Sequence, residues 1–141
     1  MKKSSYIFIF LCFIPLLIWR DFTPNNELKY LSIADEAIRN GHFFTFWNHN
    51  TIYADKPPLY FWIIMLGKWL LGDHYMFFLG LFSLIPALVI VKIMDTWVKP
   101  TLLPIYLNSA GITLMTTGLF VGSAIVLRMD MLMCMFITLA L

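Results

Sequence analysis

The run from about Tyr75 to Trp97 constrains this chain most, because it is apolar over a length that can cross a bilayer. Composition agrees with a membrane setting: 60% of residues are hydrophobic and 13% charged, where soluble domains carry roughly a quarter charged. The net charge of +2 and the lack of any basic cluster beyond Lys2-Lys3 leave no stripe that could track phosphates, which excludes a nucleic-acid partner. Cys12 and Cys134 lie inside apolar runs and read as small core or lipid-facing residues rather than a disulfide or a metal pair.

The remaining elements order themselves around that crossing. Lys2-Lys3 followed by the apolar stretch Tyr6 to Trp19 resembles a signal peptide, but Trp19-Arg20-Asp21-Phe22 offers none of the small residues that signal peptidase cleavage needs. The expectation is an uncleaved first span at about 5–20 with a cytoplasmic N-terminus. An extracytoplasmic loop at about 21–73 follows, with two helices that lie along the membrane. The first, about 25–40, has Thr23 or Asn25 as N-cap, Gly41 as its stop, and Leu28, Leu31, Ala34 and Ile38 at helical spacing. Residues 42–53 show no clear period and read as an aromatic-rich interfacial loop. His42 and His49 lack metal-ligand spacing with another His or Cys.

The second helix, about 58–71, is too short to span: thirteen residues from Leu59 cover roughly 20 Å against a hydrocarbon core of about 30 Å, and Lys68 interrupts them. A second crossing at about 75–97 returns the chain to the cytoplasm, where Lys92 and Lys99 satisfy the positive-inside rule. A third, about 102–125, leads outward, with Gly111, Gly118 and Gly122 providing small faces for helix packing. A truncated span begins at 131, and its eleven residues suggest the N-terminal part of a longer protein. The fold class is therefore an all-α membrane protein, and this topology puts Glu27, Asp55, Lys56 and Asp130 on one face of the membrane.

Three groups of residues suit chemistry. Asp55-Lys56-Pro57-Pro58 sets an ammonium beside a helix N-terminus, a place that attracts phosphate; the same lysine can also be a surface residue paired to Asp55. Arg128 and Asp130 interrupt an apolar run, where charges mark function or cap helices at the headgroup layer. Glu27 at a helix start is either an acid for catalysis or a carboxylate favoured by the helix dipole.

The order Asn26-Glu27-x-x-Tyr30 with Ala34 and Gly41, then Tyr53-x-Asp55-Lys56-Pro57-Pro58-Leu59, then Arg128-x-Asp130 resembles the N-terminal part of the polyprenyl-phosphate-sugar glycosyltransferases of the GT-C fold. It is similar to the 4-amino-4-deoxy-L-arabinose lipid A transferases and the protein O-mannosyltransferases in particular. The resemblance implies a polytopic GT-C-like helix bundle in a bacterial inner membrane, with an extracytoplasmic active site. It implies inverting transfer of a sugar from a polyprenyl-phosphate donor to a lipid A, glycan or protein acceptor. Lys56 takes the role of binding the donor phosphate, Glu27 and Asp130 those of catalytic acids, and Asp55, Arg128 and Tyr30 support them. The family has Asp-Glu where this chain has Asn26-Glu27, and Asn26 cannot act as a base. Carboxylate clusters allow a divalent metal, although no motif demands a cofactor. Outside this reading stand a transporter or channel with Arg128 and Asp130 in a solute path, and an inactive truncated membrane protein.

Overall fold

The computed structural model describes residues 3–49 and 51–141, so Lys2 of the basic start and Asn50 of the aromatic loop lie outside the described residues. The elements in chain order are α1 (Lys3–Trp19), α2 (Glu27–Asn40), β1 (Phe46–Asn48), β2 (Thr51–Tyr53), α3 (Pro58–Leu71), α4 (Met76–Val98), α5 (Pro104–Thr116), α6 (Gly118–Ile125) and α7 (Asp130–Ala140). They form two compact units: residues 1–19 with 80–141, and residues 20–79.

In the unit of residues 20–79, α2 and α3 pack with a small hairpin around Phe61, which is fully buried. Its ring lies 4.4 Å from Phe46 and 6.0 Å from Tyr53 on the hairpin, and 6.2 Å from Tyr30 on α2. Such edge-on and offset aromatic contacts add to the apolar area they bury. The hairpin is a departure from the featureless loop expected at 42–53. Its strands pair Phe46 with Tyr53, Trp47 with Ile52 and Asn48 with Thr51, leaving two residues between them. His49 at φ 50° adopts the left-handed conformation that short hairpin turns require. Three-residue strands are too short to display a period of two, which is why the sequence hid them.

The buried stripe of α2 also differs from the expected one. Tyr30, Leu31, Ile33, Ala34 and Ala37 face the core, while Leu28 and Ile38 are exposed. The aromatic cluster on α3 and the hairpin selects that face, rotating the helix away from the stripe that periodicity favours. Helix α2 ends as expected at Gly41, whose φ of 69° forms a left-handed cap. It begins at Glu27 with Asn26 in the cap position and no side-chain cap bond there, not at Thr23 or Asn25.

Helix α3 is 14 residues long, about 21 Å, and starts on Pro58 at a position where a missing N–H costs nothing. Its exposed side carries Leu59, Trp62, Leu66, Trp69 and Leu70 in one stripe. Its inner side approaches Phe78 closely through Gly67, where a Cβ would come within 2.9 Å of the ring.

In the other unit, Phe13 and Leu17 of α1, Leu84, Ala87 and Ile90 of α4, Ala124 of α6 and Met131 of α7 form one apolar core. Gly80 lets Leu17 approach α4, since a Cβ there would meet Leu17 Cδ2 at 2.7 Å. By contrast Gly118 and Gly122, expected to line a helix contact, face open space among the described residues.

Helix α4 has 23 residues, about 35 Å, and is the one described helix long and apolar enough to cross a membrane. The continuous helix expected at 102–125 is not formed. The chain breaks at Thr117, which is extended at φ −65°, ψ 121°. The cause is local: the hydroxyls of Thr116 and Thr117 both donate to the Thr113 carbonyl, at 3.1 and 3.0 Å, and such back-bonding by adjacent β-branched residues disturbs the helical ladder. Pro104, rather than Leu102, starts α5. Helices α6 and α7 meet at 111° across a short break and make at most one bent span.

Candidate functional site

In the unit of residues 20–79 the candidate residues gather at the start of α2, the end of β2 and the start of α3. Pro57, extended at φ −67° and ψ 149°, directs the chain into α3 immediately after Lys56. The Lys56 side chain is a quarter exposed and its Nζ lies 3.9 Å from Asp55 Oδ2, while the Asp55 side chain is 68% exposed. That distance and exposure make a weak ion pair, which leaves most of the cation's capacity available to a ligand.

Tyr53 organises the surroundings. Its hydroxyl donates to Asp55 Oδ2 at 3.0 Å, and the Lys29 ammonium sits 4.7 Å above its ring. Burial, the hydrogen bond to Asp55 and the neighbouring Tyr30 hydroxyl together push the Tyr53 hydroxyl well above the ordinary tyrosine range, so it stays protonated and can only donate to Asp55. Tyr30 is buried, edge-on to Tyr60 at 5.6 Å. Lys29 is a neighbour that the sequence reading missed. The signal was the hairpin, which returns Tyr53 to α2; without its register nothing relates Lys29 to Asp55-Lys56.

Glu27 is placed differently from an open catalytic acid. Its side chain is fully buried, Arg20 pairs with its Oε2, and the Thr23 N–H donates to the same oxygen at 2.7 Å. This is the geometry of a carboxylate that reaches back over its own helix start, closed further by the Leu28 N–H to Thr23 carbonyl bond of 3.2 Å. Arg20 went unassigned in the sequence reading, although it precedes Glu27 by only seven residues.

A second polar node lies in this unit. Asp35 Oδ1 accepts from Lys68 Nζ at 2.7 Å and from His74 Nε2 at 2.8 Å. Burial raises the Asp35 carboxyl, but the hydrogen bonds and charges of Lys68 and His74 outweigh it and hold the group below its usual value. Lys68, which interrupts the apolar run of α3, is thereby explained as a tie to α2.

In the other unit, Arg128 lies in the break between α6 and α7, and Asp130 is the first residue of α7. Arg128 Nε is 3.1 Å from Asp130 Oδ2, and both side chains are nearly half exposed. Asp130 opens α7, and its carboxylate suits the positive end of that helix. The break is held by Ser83, a fully buried residue of α4 whose hydroxyl donates to the Val126 carbonyl at 2.9 Å. Ser83 was not singled out from the sequence, because its partner is remote along the chain. Among the described residues no group of three or more His, Cys, Asp or Glu side chains is arranged to hold a metal ion.

The chain is similar to undecaprenyl phosphate-alpha-4-amino-4-deoxy-L-arabinose arabinosyl transferase 1 of Proteus mirabilis (strain HI4320), with 31% identity over 74 residues. The match covers 50% of this chain and 13% of that protein, so the chain spans a small part of the curated relative's length. No known family profile matches the chain, and no solved structure matches it.

Proposed function

We propose that this chain is part of a membrane glycosyltransferase that takes a sugar from a polyprenyl-phosphate donor at the outer face of a bacterial inner membrane. The observation that carries the proposal is Lys56: a partly exposed ammonium at the start of α3, weakly paired, in a chain similar to a transferase whose name specifies an undecaprenyl phosphate-linked sugar. The exposed apolar stripe of Leu59, Trp62, Leu66 and Trp69 supports an α3 that lies in the membrane interface, which sets Lys56 at the depth of lipid phosphates.

In the transfer, an acceptor oxygen bonds to the anomeric carbon while the bond from that carbon to the lipid phosphate breaks, and the departing phosphate keeps the electron pair. Lys56 balances the charge that grows on it, with Lys29 a second cation in the same neighbourhood. A hydroxyl acceptor must lose its proton to a carboxylate, the role that the motif resemblance gives to Asp130. Glu27 can do so only if its pair with Arg20 opens, so in the closed form it acts by fixing the start of α2. A phosphate acceptor such as lipid A is already anionic, and the acids then position groups rather than remove a proton.

Binding of undecaprenyl phosphate to the purified chain in detergent micelles tests the reading. Lys56→Ala is expected to weaken binding roughly 10- to 100-fold, as for loss of a charge-assisted hydrogen bond, and Lys56→Arg to retain most of it. Equal affinity in wild type and Lys56→Ala would refute the assignment.

A further inference from the structure

A groove of about 590 Å³ runs between α1 and α4 in the unit of residues 1–19 and 80–141, separate from every residue assigned above. On α4 it follows one helical stripe with a change of character along its length. Ile85, Leu88 and Val89 line the part toward the middle of the helix, and Lys92 near its end and Lys99 in the turn just after it line the rest, the Lys99 N–H still bonding to the Asp95 carbonyl at 3.1 Å. The two lysines are seven residues apart, on one face and about 10 Å apart along the axis. Ile7 and Tyr6 of α1 supply the facing wall, and the Tyr6 hydroxyl donates to Asp95 Oδ2 at 3.1 Å. The carboxylate between the lysines is thus engaged by α1, and neither lysine has an ion-pair partner among the described residues.

Depth decides what such a groove can hold. Trp97, exposed near the end of α4, marks the interfacial level, and Lys92 lies five residues, about 7–8 Å, toward the helix interior. An ammonium at that depth must extend toward the headgroups and find an anion there. We propose that the groove binds one anionic phospholipid at the membrane surface reached by the C-terminal end of α4. Its phosphate sits between Lys92 and Lys99, and an acyl chain runs along Leu88, Val89 and Ile85. This site is independent of the sugar-transfer reading. Its ligand is a lipid rather than free phosphate because the apolar half of the groove lies at acyl-chain depth and continues directly from the lysines, so that one molecule with both a phosphate and a chain fits its whole length.

Native mass spectrometry of the 141-residue chain in micelles doped with equal phosphatidylglycerol and phosphatidylcholine tests this. Wild type is expected to retain one phosphatidylglycerol in preference to phosphatidylcholine, by roughly fivefold per lysine and roughly 25-fold for the pair. Lys92→Ala with Lys99→Ala should bring the two lipids near parity, whereas Arg39→Gln, on an exposed position of the other unit, should leave the preference intact. Leu88→Trp, which fills the apolar half while keeping both lysines, should also abolish retention. Circular dichroism verifies that each variant keeps its helix content. Equal retention of both lipids by wild type, an unchanged preference in the double lysine variant or in Leu88→Trp, displacement of the lipid by millimolar inorganic phosphate, or a lipid-free dimer as the dominant species would each overturn the proposal.

Discussion

At the scale of single residues, the polar nodes in the unit of residues 20–79 differ in how much they depend on pH. Asp35 has its carboxyl held down in the folded state by Lys68 and His74, so the folded protein binds fewer protons than the unfolded chain as pH falls toward the ordinary carboxylate range. Its contribution to stability is therefore present above about pH 4 and is lost as pH drops through the lowered folded value. Thermal melts between pH 3 and 6 should show an acid-side fall that Asp35→Asn flattens; identical acid limbs in the two proteins would mean that the node carries no stability. Phe61 tests a different term. It is fully buried among aromatic rings, and Phe61→Ala should cost about 3–5 kcal/mol, read as loss of the hairpin's amide protection before that of α4. In the other unit, Ser83→Ala removes one donor from the Val126 carbonyl, which keeps the Arg128 N–H at 2.9 Å, so the expected cost is only about 1 kcal/mol.

At the scale of elements, the break at Thr117 is the feature with the clearest sequence cause. The residues 104–125 are apolar enough to read as one helix, and only the paired threonines with a following glycine mark the interruption. Thr116→Ala, Thr117→Ala and Gly118→Ala together remove the back-bonding and the weakest helix former, and should join α5 to α6. Hydrogen exchange at residues 117–120 should slow by an order of magnitude or more if they do. Fast exchange in the triple variant would locate the cause of the break in tertiary contacts instead. Helix α3 is the opposite case: it runs from Pro58 to Leu71, between a proline start and a left-handed Gly72 cap that are both local signals in the chain.

At the scale of the whole molecule, the proposed function depends on a topology in which residues 21–73 lie outside the membrane's cytoplasmic face. In intact cells expressing the protein, Asp55→Cys should react with a membrane-impermeant maleimide added from outside. Labelling seen only after the inner face is opened would reverse the orientation and remove Lys56 from the donor's side.

What the chain determined by itself is what depends on short-range composition and length. The 23-residue length of α4, the shortness of α3, the lysine followed by two prolines and the glycine stops follow from hydrophobic length and backbone preference, which neighbouring residues settle among themselves. Tertiary structure decided the partners. Whether Glu27 is an open acid or a buried one held by Arg20, which face of α2 turns inward, that Lys68 and His74 converge on Asp35, and that Lys29 reaches Tyr53 all depend on contacts that chain folding makes between segments. Periodicity carries no information about those pairings, because a charged residue reads the same in sequence whether it meets solvent, a lipid phosphate or a partner dozens of residues away.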